Sequence, residues 1–397
     1  MPPAYIVSPV RTPVGKYLGS LSDVPAEELA AIVVGAVVKR SGIDAAAIDD
    51  VIMAQSYANG EAPAIGRWAA LAAGLPIEVP GMQIDRRCAG GLTAVATAAA
   101  MVQAGLADVI LAGGAESMSN VEYYTTGMRK GMRAGSSVLH DRLQRQRERS
   151  QPVERFGVIS GMIETAENVA REYTIPRDEA DAYAARSHHR AAAAWEAGLF
   201  ADEIVPVTVK SRKGDVVVDR DEGIRADATA ETMAAIRPII KDGVITAGNS
   251  SQQNDAAAAC LVVSEQALKD FGLTPRARFV GYSVAGCHPG VMGIGPVPAV
   301  EKLFRRTGLG WSDIDQVELN EAFAAQVLAV LKGWNWNDPD RLNVNGGGIS
   351  LGHPIAATGA RILCSMLFEM QRRGSRYGLE TMCVGGGQGA AALFERV

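Results

Sequence analysis

Short apolar runs alternate with longer Ala-rich or amphipathic stretches along this chain. Tyr5-Ile-Val, Asp50-Val-Ile-Met, Asp108-Val-Ile-Leu-Ala and Cys260-Leu-Val-Val are brief and rich in Val and Ile, and we read them as buried strands. Glu27 to Arg40, Thr93 to Ala104 and Ala360 to Arg372 read as helices. The alternation predicts an α/β architecture.

The two ends of the chain also echo each other. Gly42-Ile-Asp-Ala-Ala-Ala-Ile48-Asp49-Asp-Val51 and Gly308-Leu-Gly-Trp-Ser-Asp-Ile314-Asp315-Gln-Val317 share one internal spacing. Each half then closes on a strand that runs into glycines, at Ala112-Gly113-Gly114 and Val384-Gly385-Gly386. A duplicated α/β unit explains both echoes. Between the halves the pattern changes. Arg129 to Arg149 is rich in Arg and Lys without apolar periodicity, Glu164 to Ala197 has helical patterns, and Lys210 to Arg225 is polar. We read residues 119–248 as an inserted loop domain packed over the first half. That leaves 1–118 with 249–270 as the N-terminal half and 271–397 as the C-terminal half. The basic run 129–149 is a solvated surface in its plainest reading, and a subunit contact or a phosphate-docking surface in its functional ones.

Composition narrows the function. A chain of 397 residues can bury a large core and suggests two or three domains. A formal net charge of -5 gives no reason to expect nucleic acid as a partner. The five cysteines form no C-x-x-C pair and are odd in number, which fits reduced thiols of a cytoplasmic protein better than a disulfide framework. The start lacks the basic region and long apolar stretch of a secretory signal, and the apolar stretch Ala30 to Val38 is too short to span a bilayer. No spacing suits a metal. His188-His189 and Cys287-His288 read as structural pairs, and the glycine runs lack the dinucleotide-binding spacing.

The chemistry concentrates in three places where a reactive side chain sits among glycines. Cys88 stands in Asp85-Arg-Arg-Cys88-Ala-Gly90-Gly91, at the start of an Ala-rich helix. Free N–H groups and the macrodipole of a helix N-terminus favour an anion there, which predicts a thiolate near neutral pH. A buried structural cysteine is the equally open alternative. His353 lies in Asn345-Gly-Gly-Gly-Ile-Ser-Leu-Gly-His353-Pro, where a neutral imidazole can take a thiol proton or donate to an oxyanion. Cys383 ends the strand Thr381-Met-Cys383-Val and enters three glycines, so that a thiolate base and the N–H of Gly385 can share one site. Asn320, in Asn320-Glu-Ala-Phe323, either fixes a water or a histidine by hydrogen bonding or caps a helix.

Together with Thr246-Ala-Gly-Asn-Ser-Ser251, Gly114-Ala-Glu-Ser-Met-Ser119 and Asn343-Val-Asn-Gly-Gly-Gly348, these motifs resemble those of the thiolases in order and spacing over nearly the whole chain. The resemblance implies two similar halves, each a five-stranded α/β/α unit, with the loop domain inserted in the first, assembled as homodimers or homotetramers. It implies reversible cleavage of 3-ketoacyl-CoA, or its reverse Claisen condensation, through an acyl-Cys88 intermediate. Coenzyme A is then substrate and product rather than a bound cofactor, and no metal or membrane is involved. On this pattern His353 activates Cys88, and Cys383 is the acid/base at the α-carbon. Asn320 holds a water that forms one oxyanion hole with His353, and the N–H groups of Cys88 and Gly385 form the other. Arg225 approaches the CoA phosphates, Ser251 the pantetheine arm, and Met162 and Ile240 the same binding region. Two departures stand out. Many members carry Cys-x-Ser-Gly at the nucleophile, where this chain has Ala89-Gly90 after Cys88, and Gly161 precedes Met162 where short-chain members often carry His. The second weakens the expectation of acetoacetyl-CoA preference. Among alternatives, a ketoacyl-synthase-like condensing enzyme on carrier-protein thioesters lacks a second active-site Cys. A non-catalytic thiolase-fold partner is expected to have lost Cys or His.

Overall fold

Nine strands run edge to edge through one sheet in this computed structural model, which describes residues 2–397. In chain order they are β1 (Ala4–Arg11), β2 (Asp50–Ala54), β3 (Gly81–Ile84), β4 (Val109–Ser117), β5 (Asn254–Ser264), β6 (Pro275–Gly286), β7 (Gln316–Leu319), β8 (Tyr377–Val384) and β9 (Gln388–Arg396). Their spatial order is β7-β8-β9-β6-β1-β5-β4-β2-β3, and the short segment Gly15–Lys16 adds a tenth strand beside β5. The two halves meet where β1 pairs antiparallel with β6.

The duplication is visible strand by strand. In the first half β2 pairs parallel with β4, and β4 antiparallel with β5. In the second β7 pairs parallel with β8, and β8 antiparallel with β9. The echo at Gly42 and Gly308 is structural. Both glycines end a helix in the left-handed region (φ 69° and 73°), a 3-10 turn follows each, and β2 or β7 comes next. The counterpart of β3 shrinks in the second half to one parallel bridge, Val317 to Leu342.

Helices cover both faces. The helices α1 (Ala26–Ser41) and α2 (Ile65–Ala72) pack on the first half of the sheet. On the opposite face α3 (Gly90–Gln103) and α9 (Thr358–Arg373) share one core with β-strand residues of both halves, including Ile52, Ile110, Phe279, Met382 and Phe394. This shared pair is what brings the halves' reactive loops together. At its crossing the backbones nearly touch. A methyl on Gly91 would lie 2.8 Å from the Ala360 nitrogen, and one on Gly359 would lie 2.4 Å from the Leu92 nitrogen. No real Cβ tolerates such contacts, so any larger residue must push the two helix starts apart. This is why a helix that opens Cys88-Ala-Gly-Gly carries glycines at a propensity cost of roughly 1 kcal/mol each.

The central stretch differs from expectation in two ways. Its helical pattern breaks at Thr174-Ile-Pro176 into α5 (Met162–Glu172) and α6 (Arg177–Glu196), because Pro176 disfavours helix at the residue before it. These helices pack on the second half rather than the first. Val169 and Ala170 of α5 meet Ala325 and Ala329 of α8 (Ala324–Trp334), and Tyr183 and Ala184 of α6 join Val327 and Leu331 of the same helix. Within the basic run, Arg142–Glu148 forms a short helix capped by Asp141 and anchored by buried Leu143. No described helix is long and apolar enough to cross a membrane.

Candidate active site

The two helix starts and the end of β8 deliver three reactive side chains to one cavity of about 390 Å³. Cys88 occupies the 3-10 turn Arg87–Ala89 that feeds α3. Asp85 Oδ1 accepts from the Arg87 N–H at 2.6 Å, and Arg87 sits in the left-handed region at φ 48°, unusual outside glycine. His353 precedes the turn Ile355–Ala357 that feeds α9. Cys383 closes β8 just before Gly385, whose N–H stands near enough to the Cys88 sulfur to favour its thiolate. Gly385 itself has room, since a methyl there would make only ordinary contact with Met162. The positions that need glycine are Gly386 and Gly387, with φ of 87° and 84°.

His353 is held from several sides. Its backbone N–H donates to Asn254 Oδ1 at 2.8 Å, and its Nδ1 lies 2.6 Å from Thr358 Oγ1. Asn320 is buried behind the ring, with Nδ2 3.5 Å from either ring nitrogen and Oδ1 without a hydrogen-bond partner. It does not cap α8: Phe323 occupies that position, without a side-chain cap. The loop itself is pinned by Glu116, whose carboxylate accepts from Ser56 N–H, Tyr57 N–H and Ala356 N–H, each at 3.2 Å. Burial pushes Glu116 up to about 7 against these three donors. Sequence reading assigned no role to Thr358, Asn254 or Glu116. Each lies inside or beside a quoted motif, yet only the tertiary structure aims it at His353.

The electrostatics correct one expectation. Burial pushes the Cys88 thiol up to about 11, and the Gly385 N–H and Arg87 only oppose it. The helix N-terminus therefore does not make a resting thiolate, because desolvation outweighs the donors. Burial likewise holds Cys383 well above the ordinary thiol range. His353 is pushed down to about 3 by burial, with Arg361 and Arg147 adding to it. At neutral pH the site rests as two thiols around a neutral imidazole.

Ser251, Met162 and Ile240 line the same cavity. Arg225 does not. It is exposed outside that lining, and its backbone N–H donates to Nδ1 of buried His188. His288 Nδ1 accepts from the Gly290 N–H and so serves its own turn. No cluster of three potential metal ligands occurs among the described residues.

A thiol, an imidazole and a second thiol around one cavity, set on a duplicated α/β sheet with a backbone N–H at the nucleophile, define an acyltransferase that works on thioesters. Comparison with known proteins gives the family. The models described as thiolase, N-terminal domain and thiolase, C-terminal domain match residues 4–266 and 273–396. The chain is 47% identical to an acetyl-CoA acetyltransferase of Paracoccus denitrificans, covering 100% of both chains. It is 44% identical to a beta-ketoadipyl-CoA thiolase of Pseudomonas aeruginosa, covering 99% of both. Its fold superposes on the crystal structure of the Bacillus anthracis acetyl-CoA acetyltransferase with a TM-score of 0.95 at 43% identity, covering 100% of this chain and 99% of the other. For human mitochondrial 3-ketoacyl-CoA thiolase the TM-score is 0.94 at 38% identity, with the same coverage. The chain belongs to the thiolase family and is an enzyme of that class.

Proposed function

We propose that this enzyme cleaves a 3-ketoacyl-CoA with free CoA, and runs the reverse condensation, through an acyl group on Cys88. The observation that carries this reading is the convergence of Cys88, His353 and Cys383 on one cavity. In the cleavage direction the Cys88 sulfur attacks the 3-keto carbon while its proton passes to His353. The bond between C2 and C3 then breaks, and Cys383 gives its proton to the departing acetyl-CoA enolate. Free CoA next loses its proton to the Cys383 thiolate and attacks the Cys88 thioester. Cys88 leaves and recovers the proton from His353. Both cysteines begin in the thiol form that this direction needs. Asn320, with its unpaired buried Oδ1, accepts from a water that faces one oxyanion beside His353. The N–H groups of Cys88 and Gly385 serve the other, where one donor is worth about 3–4 kcal/mol. Ser251 and Met162 border the pantetheine arm.

The test is a thiolysis assay over 3-ketoacyl-CoAs with free CoA. Turnover with parallel double-reciprocal lines is expected for a covalent intermediate. Absence of turnover with every chain length tried would overturn the substrate class. We also place this enzyme in the cytoplasm, as its free cysteines suit a reducing compartment. It assembles as a homodimer or homotetramer. Supporting this, Tyr123, Met132, Val138 and Leu139 expose large apolar side chains within one segment of the chain. A monomer by light scattering at micromolar concentration would refute the assembly.

A further inference from the structure

The cavity around Cys88 carries charge that an unsubstituted acyl chain does not use. Two of its lining side chains, Arg87 and Arg147, are cationic, and none is acidic. The chain as a whole is net negative. Neither arginine takes part in an ion pair among the described residues.

The two guanidinium groups also converge. Arg87 directly precedes the nucleophile, and at the buried Tyr57 hydroxyl, which burial pushes up, the nearby charges of both arginines act in the opposite direction. Tyr57 packs with Met118, Leu143 and Ile355, the last of these two residues beyond His353. The field of Arg147 reaches His353 as well. Gln144, one turn before Arg147 on the same short helix, adds an amide to this wall. The cationic wall therefore stands in the same cavity as Cys88 and His353, and Gln144 Nε2 ties it to Ser160 O at 3.5 Å. The phosphates of CoA are separated from a thioester at Cys88 by the length of the pantetheine arm. Cations left unpaired in a half-buried site are costly, and an anionic group on the substrate offsets that cost on binding.

Resting on the thiolase reading above, we infer that the acyl chain this enzyme transfers ends in a carboxylate, held by Arg147 with Arg87 and the Tyr57 hydroxyl. The substrate class is then a 3-oxo-dicarboxylic acid carried as its CoA monothioester.

The test compares two six-carbon substrates that differ only at the far end, 3-oxoadipyl-CoA and methyl-ended 3-oxohexanoyl-CoA, with acetoacetyl-CoA run in parallel. We expect kcat/KM to favour the carboxylate-ended substrate by at least about tenfold. Arg147→Gln is expected to bring that ratio to about one, and Arg147→Lys, which keeps the charge but not the fork, to leave part of it. Indifference or a methyl preference in the unaltered enzyme overturns the inference. So does an Arg147→Gln ratio that stays high, or an equal loss with both substrates, which would assign the guanidinium to the CoA phosphates. Acetoacetyl-CoA separates the two levels: cleavage of it without carboxylate preference sinks this inference alone. No cleavage of any of the three substrates sinks the thiolase reading with it.

Discussion

With Cys88 replaced by Ala, incubation with acetyl-CoA is expected to leave the protein's mass unchanged, and thiolysis to fall by at least about four orders of magnitude. The size follows from the site. Every step proposed here passes through a bond to the Cys88 sulfur, and no other nucleophile stands at the turn that feeds α3. The fold should survive. Removing one sulfur from a buried position costs about 1 kcal/mol, small beside the stability of a domain with this core. His353→Ala is expected to cost nearly as much as Cys88→Ala, and the double variant little more, because thiol and imidazole act as one proton-transfer unit. Neither group is charged at rest: burial holds Cys88 up near 11 and His353 down near 3. The proton must therefore move as the sulfur attacks, which makes each group useless without the other. Intact-mass spectrometry together with a turnover assay decides the matter. An acyl adduct persisting in Cys88→Ala would move the nucleophile elsewhere, with Cys383 as the first place to look.

Much of this arrangement was legible in the chain, for reasons that differ by residue. Reactive side chains set among glycines announce themselves, since few core positions combine a thiol or imidazole with backbone that must approach closely. The echo between Gly42 and Gly308 marked the duplication because a left-handed helix end, a turn and a strand impose the same residue classes twice. Strand ends were cut short in the reading, as at β5, where Asn254-Asp-Ala-Ala-Ala-Ala carries no strand preference of its own. That segment is a strand because β1 and β4 flank it on both sides. The residues that hold His353 were not legible at all. Glu116 lies 237 positions before it in a strand of the other half, and only the crossing of α3 and α9 makes them neighbours. The protonation of the Cys88 thiol is hidden from the sequence for a related reason. A helix N-terminus can be seen in sequence, but the desolvation that overrides it belongs to the packed structure. Arg147 shows the same limit from the other side. In sequence it is one of many basic residues in a solvated run, and the fold turns it into the cavity.

Cys383→Ala should separate the two half-reactions. Acyl transfer from acetyl-CoA to Cys88 needs the nucleophile, His353 and the oxyanion contacts, and a departing CoA thiolate is stable enough to leave without an acid. The acyl adduct on Cys88 is therefore expected to form, more slowly than in the unaltered enzyme. Carbon–carbon cleavage is different. The leaving group there is an enolate, far more basic than a thiolate, and without the Cys383 proton thiolysis of 3-ketoacyl-CoA is expected to fall by at least about three orders of magnitude. A second readout isolates the same proton. Exchange of the α-hydrogens of acetyl-CoA with deuterated solvent, followed by mass, should vanish in Cys383→Ala and persist with Cys383 present. The position supports this assignment over a structural one. Cys383 is fully buried at the end of β8 among Met292, Ala322 and Phe323, and it also lines the cavity that holds Cys88 and His353. A variant that fails to acylate would show that Cys383 serves the first half-reaction too. A variant that acylates and still exchanges α-hydrogens would place the base on another group of the same cavity, with His353 the first to test.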